Sequence, residues 1–500
     1  MTAGRSTETG HDPRTGAAGP DLPTSTDEEV AGAVAAAASA AATVAATAPA
    51  VRQGWLAAIA DALEADAERL VDLADRETAL GRPRLPSELA RAADQMRFYA
   101  SVAVDGDYLG ATLDSATVTS PALARTQVPL GPVAVFGASN FPFAFGVLGN
   151  DTASALAAGC PVVTKGHPAH PELSRALGDL AVAALREAGA PAGTFALVTG
   201  FEAGLHLVDA TAISAVAFTG SQTGGMALRE RALARPVPIP VFAEMGTVNP
   251  VVVTRSGAAD AASVAAGFVG SFTLGAGQFC TKPGLLLAPA GAGLPDAVAK
   301  ALVAAAPSGW ALTAPIGEHA AAGVDDLVAA GAGVLARAAG PGAGHSVDAV
   351  ALTASPDAIT ADSPLVAECF GPVALVVEYA DDDELHTVLD RLQGTLVAAV
   401  MAGEDDPDLA GLVDRLTALA GRVTVGDWPT GVAWTWAQQH GGPWPATSEP
   451  TSTSVGAAAL DRFTRPVAFQ SVPDAALPPS LQAANPWHLP RRVDGTVVLP

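Results

Sequence analysis

The spacing of apolar residues changes along this chain, and each spacing predicts a different kind of element. Between residues 26 and 102 apolar side chains recur every three to four positions, which predicts helices, with a break at residues 81–83. Residues 107–128 alternate loosely and are rich in threonine, as expected of a protruding hairpin. From residue 132 onward, short apolar runs alternate with helical patterns. The pattern therefore predicts a helical start followed by an α/β alternation.

The first alternation is typical of a parallel sheet with helices on both faces, a dinucleotide-binding type of architecture. Its predicted strands are residues 132–136, 161–164, 194–198, 214–219 and 239–243. A second alternation begins at residue 250, and its helix over residues 258–274 leads into Cys280. Residues 467–472 predict an edge strand. The expected fold class is therefore α/β, with a Rossmann-type domain followed by a second α/β domain.

Length, charge and cysteine content narrow the class of protein. Five hundred residues exceed one compact core of ordinary size, so two or three domains are expected. With 27 Lys and Arg against 51 Asp and Glu, the net charge of −24 opposes binding to nucleic acid or to an anionic membrane. The three cysteines show no Cys-x-x-Cys spacing, which predicts free thiols in a cytoplasmic protein.

The N-terminal region holds one segment that resembles a membrane span. Residues 30–51 carry no charge, but they are mostly alanine and follow three acidic residues, where a secretory signal has basic ones. They predict a helix of a soluble protein that begins at Ser25, with Glu28 completing a capping box. Residues 1–24 are rich in Gly, Pro and Thr without apolar periodicity, and are expected to form a flexible tail.

The candidate chemistry centres on Cys280, which lies in the run Gly275-Ala-Gly-Gln-Phe-Cys-Thr after the predicted helix. A thiol reacts as its thiolate, and small residues beside it leave room for a substrate. A cysteine out of context is more often a small packing residue. Motifs elsewhere in the chain favour the nucleophile over that alternative.

Six short motifs, taken in order, resemble the aldehyde dehydrogenase superfamily over nearly the whole chain. They are Gly137-Ala-Ser-Asn-Phe-Pro, Val162-Val-Thr-Lys, Phe218-Thr-Gly-Ser-Gln-Thr-Gly-Gly, Ala243-Glu-Met-Gly, Gly277-Gln-Phe-Cys and Glu368-Cys-Phe-Gly-Pro. The first motif, together with residues 165–171, 278–284 and 440–447, is most similar to the alpha-ketoglutarate semialdehyde (2,5-dioxopentanoate) dehydrogenases. One such motif could arise by chance, but six in the family's order could not.

The resemblance implies three catalytic roles. Cys280 would attack the aldehyde, and Asn140 with the backbone N–H of Cys280 would stabilise the resulting alkoxide. Glu244 would activate the water that hydrolyses the thioester. Taken alone, Asn140 is more often an ordinary turn residue, and Glu244 a solvated residue at a strand end. The expected reaction is NADP-dependent oxidation of a small-molecule aldehyde to a carboxylic acid, with no metal ion.

The resemblance also implies a nicotinamide cofactor. The residues expected to contact it are Lys165, His167, Gly220, Ser221, Gly225, Glu368 and Phe370. The glycines flank a strand-to-helix junction, where backbone N–H groups hold a diphosphate.

NADP is the expected cofactor, with NAD as the alternative. Members of the superfamily that prefer NAD often carry a glutamate three residues after the lysine, and its charge would repel a 2′-phosphate. Here that position is Pro168. His167 is expected to donate a hydrogen bond and, through partial protonation, to favour the phosphate.

The expected domain arrangement is aldehyde dehydrogenase-like. Residues 25–106 and 129–247 are assigned to the cofactor-binding domain, 248–446 to the catalytic domain, 107–128 and 455–473 to a small β oligomerisation element, and 474–500 to a C-terminal tail. A homodimer or homotetramer is expected, because the superfamily uses such an element for subunit pairing.

Two positions depart from the semialdehyde subfamily. An arginine, which could bind a substrate carboxylate through two hydrogen bonds, is expected shortly before Thr453 and is absent. At the second position, Lys282 replaces an asparagine. A long-chain aldehyde dehydrogenase with an apolar tunnel is therefore the alternative. The residues that would line such a tunnel, or else only cover the core, are Trp428, Trp434, Trp436, His440 and Trp444.

Two further alternatives lie outside this enzyme class. A cysteine hydrolase needs a histidine base and has no use for the cofactor motifs. A structural use of the fold does not account for the joint presence of Asn140, Glu244 and Cys280. Aldehyde oxidation is the function that the sequence favours.

Overall fold

The computed structural model describes residues 5–500 and begins with a hairpin. Its two strands, β1 (Thr7–His11) and β2 (Ala18–Pro23), pair antiparallel. Arg14, in the turn, donates a hydrogen bond to the Asp75 carboxylate at 2.7 Å, which ties the hairpin to the body of the protein.

The prediction of a flexible tail over residues 1–24 is wrong for residues 5–24. Backbone pairing and polar contacts hold this segment, and neither leaves a periodic apolar signal in the sequence. Residues 1–4 of the predicted tail lie outside the described residues.

The predicted cofactor-binding domain starts with the helices α1 (Asp27–Ala46), α2 (Pro49–Ala65), α3 (Ala67–Thr78) and α4 (Leu85–Asp105). The capping box of α1 lies one residue later than predicted. Thr26 Oγ1 accepts the N–H of Glu29 at 3.2 Å, and the Glu29 carboxylate accepts the N–H of Thr26 at 2.9 Å. Ser25 does not fill this role, because its hydroxyl accepts the N–H of Thr199 at 3.0 Å.

Two short strands, β3 (Thr112–Asp114) and β4 (Leu123–Pro129), then leave the domain for a separate sheet. The chain returns and alternates through β5 (Val133–Phe136), α5 (Asn150–Ala158), β6 (Val162–Lys165), α6 (Pro171–Glu187), β7 (Phe195–Val198), α7 (Phe201–Asp209), β8 (Ala215–Gly220), α8 (Gln222–Leu233) and β9 (Val241–Met245). These strands form a five-stranded parallel sheet in the order β7-β6-β5-β8-β9. The residues after β5, β6, β8 and β9 therefore meet at one edge, where such sheets bind ligands.

The predicted catalytic domain follows without a long linker. Its elements are β10 (Pro250–Val253), α9 (Ala261–Thr273), β11 (Leu285–Pro289), α10 (Leu294–Ala305), β12 (Gly309–Trp310), α11 (Ala314–Ala329), β13 (Gly333–Ala338), β14 (Ser346–Val347), β15 (Ala349–Ala354), β16 (Val373–Tyr379), α12 (Asp382–Leu389), β17 (Thr395–Met401), α13 (Leu409–Thr417) and β18 (Ala420–Val425). A seven-stranded sheet runs β13-β15-β16-β11-β10-β17-β18, with only β13 antiparallel to its neighbour. The predicted α/β fold class is confirmed.

The last three strands are β19 (Thr464–Gln470), β20 (Arg491–Val493) and β21 (Thr496–Val498). They join β3 and β4 in a five-stranded sheet ordered β19-β4-β3-β20-β21. The assignment of residues 474–500 to a tail outside this element is therefore wrong. The Asp494 carboxylate accepts the backbone N–H of Ser115 at 2.7 Å, and short strands held by such contacts lack the apolar run that predicts a strand.

Two helical segments are long and apolar enough to cross a bilayer by length and composition alone, Asp27–Ala46 and Gly257–Gly277. In the first, Val30 and Val34 pack in a core cluster with strand residues of the cofactor-binding domain. In the second, Phe268 and Phe272 pack beneath the seven-stranded sheet. Both segments thus contribute to domain cores.

Candidate active site

The site is built where the two large sheets face each other. Asn140 follows β5, Glu244 lies near the end of β9, and Cys280 follows α9 of the catalytic domain. The structure therefore brings Asn140 close to two residues that follow it by more than one hundred positions in the sequence.

The loop that carries Cys280 is folded tightly between α9 and β11. Gly277 has a φ of +68°, and a Cβ at this position would overlap the backbone of Gly371. The amide nitrogen of Asn249 donates to the carbonyls of Cys280 at 2.7 Å and Lys282 at 3.1 Å, which anchors the loop to the start of β10. The small residues predicted to leave room for a substrate also allow this close approach of two loops.

Asn140 lies against the same loop. Its Nδ2–H donates to the carbonyl of Gln278 at 2.8 Å, two residues before Cys280. A side-chain amide carries two N–H donors, so one remains for a substrate oxygen. The backbone carbonyl of Asn140 accepts a hydrogen bond from Arg84, a contact that the sequence did not predict.

A histidine lies between the thiol and the carboxylate. His440 Nε2 is 3.6 Å from Cys280 Sγ and 3.5 Å from Glu244 Oε1. His440 and Glu244 are 2% and 3% exposed, and neither oxygen of Glu244 has a hydrogen-bond partner within residues 5–500. The backbone N–H of His440 donates to Thr453 Oγ1 at 2.8 Å, which holds the main chain at this position. From the sequence, His440 could either line a tunnel or cover the core. Only the structure places it beside Cys280 and Glu244.

The thiol is held in its protonated form. Burial raises the pKa of Cys280 well above its ordinary value, and the carboxylates of Glu244 and Glu368 raise it further. Arg422 opposes this shift but does not cancel it. A base must therefore remove the proton before the sulfur can attack a carbonyl, and His440 is within reach.

Glu368 lies in the loop before β16, close to the same cluster. Burial raises its pKa, the carboxylate of Glu244 adds to the shift, and the ammonium of Lys282 opposes it. Lys282 is buried and donates to the carbonyls of Cys369 at 2.9 Å and Val373 at 2.6 Å. The lysine that replaces the expected asparagine therefore holds the Glu368 loop and sets its electrostatic environment.

The other two cysteines are free thiols, as predicted. Cys160 is buried and its thiol donates to the carbonyl of Phe463 at 3.3 Å. The thiol of Cys369 lies 3.7 Å from the carbonyl of Ala320. Phe370 follows it, half-buried, in the same loop as Glu368.

The residues at the ends of β6 and β8 fit a dinucleotide. Ser221 caps α8, its hydroxyl accepting the N–H of Gly224 at 3.2 Å. A Cβ on Gly225 would lie 2.6 Å from the sulfur of Met245, so only glycine lets α8 pack this close to the sheet beside Gly220. The junction thus presents the start of a helix at the ligand-binding edge, as a diphosphate requires.

Lys165 ends β6, and His167 lies in the loop that follows. Burial lowers the pKa of Lys165, and the carboxylate of Glu8 in β1 opposes the shift. Burial, His170 and Lys165 lower the pKa of His167 well below its ordinary value. The expectation of partial protonation at His167 is therefore wrong, because the ring is buried beside other basic groups. Its Nδ1 accepts the N–H of Ala169 at 3.1 Å, which leaves Nε2 as a neutral donor.

Aromatic rings form one wall of the site. The ring centres of Phe141 and Phe279 are 5.1 Å apart, and those of Phe141 and Phe145 are 5.5 Å apart. Trp434 packs against the cluster formed by Phe145 and its neighbours. The other tryptophans lie elsewhere: Trp428 packs on Phe268, whereas Trp436 and Trp444 are 55% and 48% exposed.

Known proteins resemble this chain over most of its length. The aldehyde dehydrogenase family model matches residues 2–464. Alpha-ketoglutaric semialdehyde dehydrogenase 2 of Azospirillum brasilense is 45% identical over 466 residues, which cover 89% of this chain and 87% of the relative. Alpha-ketoglutaric semialdehyde dehydrogenase of Acinetobacter baylyi is 38% identical over 465 residues, with the same two coverages. PnpE in complex with nicotinamide adenine dinucleotide has a TM-score of 0.80 at 21% identity, covering 93% of each chain, and so shares the fold.

Proposed function

The chain belongs to the aldehyde dehydrogenase family, and on that premise we propose that it oxidises 2,5-dioxopentanoate to 2-oxoglutarate with NADP. The oxidation of an aldehyde follows from family membership. The choice of substrate is supported by the two semialdehyde dehydrogenases that share 45% and 38% of their aligned residues with it. The observation that carries the proposed chemistry is the cluster of Cys280, His440 and Glu244, in which the imidazole and the carboxylate are buried and the thiol is half-buried.

The first half of the reaction forms a covalent bond to the enzyme. His440 Nε2 takes the proton of Cys280, and the sulfur attacks the aldehyde carbon. The remaining N–H of the Asn140 amide and the backbone N–H of Cys280 stabilise the alkoxide. A bound nicotinamide cofactor supplies the hydride acceptor. The acyl group then stays on Cys280 as a thioester.

The second half releases the acid. Glu244 takes a proton from a water molecule, whose oxygen bonds to the thioester carbon while the carbon–sulfur bond breaks. The two unpartnered oxygens of Glu244 and its position beside His440 support this role. The sulfur leaves as a thiolate and recovers its proton from His440.

His440→Asn is expected to slow the first turnover, because the buried thiol loses its base. The rate of the burst of reduced cofactor should fall about 100-fold at neutral pH. It should recover as the pH rises, since the raised pKa of Cys280 lets more thiolate form only in the alkaline range. Stopped-flow absorbance of the reduced cofactor measures both effects. A burst of wild-type rate at neutral pH would contradict the role of His440.

Cofactor choice is the second part of the proposal. Pro168 is exposed and uncharged, so the loop after Lys165 carries no carboxylate to repel a 2′-phosphate. His167 contributes a neutral donor and no charge, so Lys165 is the only cation of this loop within residues 165–171.

Pro168→Glu is expected to lower kcat/KM for NADP about tenfold or more and to change the value for NAD much less. Pro168→Gln is the matched control, since it adds similar bulk without charge. Steady-state measurements of kcat/KM with NADP and with NAD test this prediction. A wild type that favours NAD would contradict the choice of NADP, as would a glutamate variant that loses nothing with it.

A panel of aldehydes tests the substrate. Wild-type kcat/KM should be highest for 2,5-dioxopentanoate, lower for other short acidic aldehydes, and lowest for long alkyl aldehydes. The assay follows the absorbance of the reduced cofactor. A preference for long alkyl aldehydes would replace the proposed function with that of a long-chain aldehyde dehydrogenase.

The five-stranded sheet that contains β19 and β21 supports assembly into a homodimer or homotetramer. Both outer strands end the sheet with unpaired edges in this chain, and Val497 and Val498 of β21 are 56% and 45% exposed. Such edges are normally covered. Light scattering on the purified protein distinguishes monomer, dimer and tetramer.

A further inference from the structure

A row of charged residues at the start of α4 faces the aromatic wall of the site. Arg84, Glu88 and Arg91 are spaced four and three residues apart, which places them on one side of a helix. No motif connects this helix with the substrate, and the helix lies almost two hundred residues before Cys280.

The first two members of the row form an ion pair. Glu88 is buried, accepts the N–H of Phe143 at 3.0 Å, and lies 3.3 Å from the guanidinium of Arg84. Arg84 also donates to the carbonyl of Asn140 and stacks 4.4 Å from the ring centre of Phe141. This pair therefore supports the loop of Asn140 and adds no net charge.

Arg91 carries the surplus positive charge. Its Nε and Nη2 are buried and have no hydrogen-bond partner among residues 5–500. The guanidinium carbon is 4.8 Å from the ring centre of Trp434 and 5.3 Å from that of Phe145. Aromatic faces stabilise a cation only in part, and buried donors without acceptors are unfavourable. An anion that approached this edge of Arg91 would satisfy both donors.

The position of Arg91 relative to the thiol suits a short substrate. Phe145 separates the guanidinium from the ring of His440, whose centre is 6.3 Å from that of Phe145. His440 in turn contacts Cys280. Burial lowers the pKa of Arg91, and the nearby charges of Glu88 and Cys280 oppose this shift. The ring of Phe145 thus separates the guanidinium of Arg91 from the cluster of His440 and Cys280.

We propose that Arg91 binds the carboxylate of the substrate, so that α4 supplies the cation that is absent from the loop before Thr453. This inference rests on the proposed function and names the residue that recognises the acid end of 2,5-dioxopentanoate. Nε and Nη2 form the same edge of a guanidinium, and their two N–H groups match the two oxygens of a carboxylate.

The length of the substrate sets the reach that this contact requires. Its five-carbon chain spans about 5 Å between the terminal carbons. A hydrogen bond at the carboxylate end adds about 3 Å. The methylene groups of a longer alkyl aldehyde would instead lie against the unpaired guanidinium of Arg91. That contact is unfavourable.

Arg91→Met tests the inference, because methionine keeps much of the length and removes the charge. The value of kcat/KM for 2,5-dioxopentanoate should fall about 100-fold, whereas that for pentanal should change less than about threefold. Arg91→Lys should recover only part of the loss, since a lysine cannot form the paired contact. Arg97→Met is the control on the same helix, where the arginine pairs with Asp61 and Glu64 at the surface, and it should match the wild type with both aldehydes.

A binding measurement separates recognition from turnover. The probe 2-oxopentanoate keeps the oxo-acid end and has a methyl group in place of the aldehyde. It should compete with pentanal in the wild type and in Arg97→Met, and its affinity measured by calorimetry should fall about 100-fold in Arg91→Met. Its methyl ester should bind all three proteins weakly and equally.

Four outcomes are distinct. Selective loss of the acidic aldehyde and of 2-oxopentanoate supports the role of Arg91. An equal loss for acidic and neutral aldehydes in both Arg91 variants would overturn it in favour of a structural role. If the Arg91→Met variant kept the wild-type preference for the acidic aldehyde, the role of Arg91 would be overturned and the proposed function would stand. A wild type that prefers pentanal would instead overturn the proposed substrate.

Discussion

Cys280→Ala is expected to lower kcat/KM for any aldehyde by about 10⁴-fold or more, because the variant has no atom that can form the covalent intermediate. Cofactor affinity should not change, since the predicted cofactor contacts lie on the other domain and in the Glu368 loop. Steady-state rates, together with cofactor binding followed by protein fluorescence, measure the two effects.

Cys160→Ala is the matched control, because that thiol is buried in the core away from the site. It should retain wild-type activity with some loss of stability. If Cys280→Ala kept normal turnover while Cys160→Ala lost it, the assignment of the nucleophile would be wrong.

Glu244→Gln is expected to separate the two halves of the reaction. The change keeps the shape of the side chain and removes the base that activates water. One equivalent of reduced cofactor should appear in a burst, and steady-state turnover should then fall about 100-fold to 10⁴-fold. The loss of a carboxylate also removes one cause of the raised pKa of Cys280, so the burst should be no slower than in the wild type.

Glu449→Gln serves as the control for Glu244→Gln. Glu449 lies on the nearby segment after β18 but does not belong to the catalytic cluster. It should show wild-type burst and turnover. A Glu244→Gln variant without a burst would mean that the carboxylate acts before hydride transfer, as the base for the thiol in place of His440.

The alternation of strands and helices predicted much of this fold because parallel strands are short, apolar and fully buried. Val133 to Phe136 and Val162 to Thr164 are of this kind. The same rule also predicted where the chemistry lies, since the strand ends of one parallel sheet meet at one edge. Asn140 follows β5 and Glu244 lies near the end of β9, so this rule places both residues near the same edge.

The parts that the sequence did not predict are held by polar and backbone contacts. The hairpin of β1 and β2 and the C-terminal strands β20 and β21 have few apolar side chains, and pairing with another segment is what orders them. His440 and Arg91 are a different case. Each is ordinary in its own segment, and only the packing of that segment against the Cys280 loop gives it a role.

The direction of the pKa shift of His167 could not be predicted from the residues next to it in the sequence. The residues around it suggested a histidine that could carry charge, but its neighbours in space are His170 and Lys165, and the ring is buried. Burial and like charge both favour the neutral form. An electrostatic preference for NADP therefore comes from the charge of Lys165 and from the absence of charge at Pro168.

The covalent intermediate provides the most direct test of the whole mechanism. Glu244→Gln would be mixed with 2,5-dioxopentanoate and NADP, quenched in acid after one turnover, digested and analysed by mass spectrometry. The mechanism predicts a 2-oxoglutaryl thioester on the peptide that contains Cys280, in a one-to-one ratio with reduced cofactor. Reduced cofactor formed without acyl group on Cys280 would contradict it.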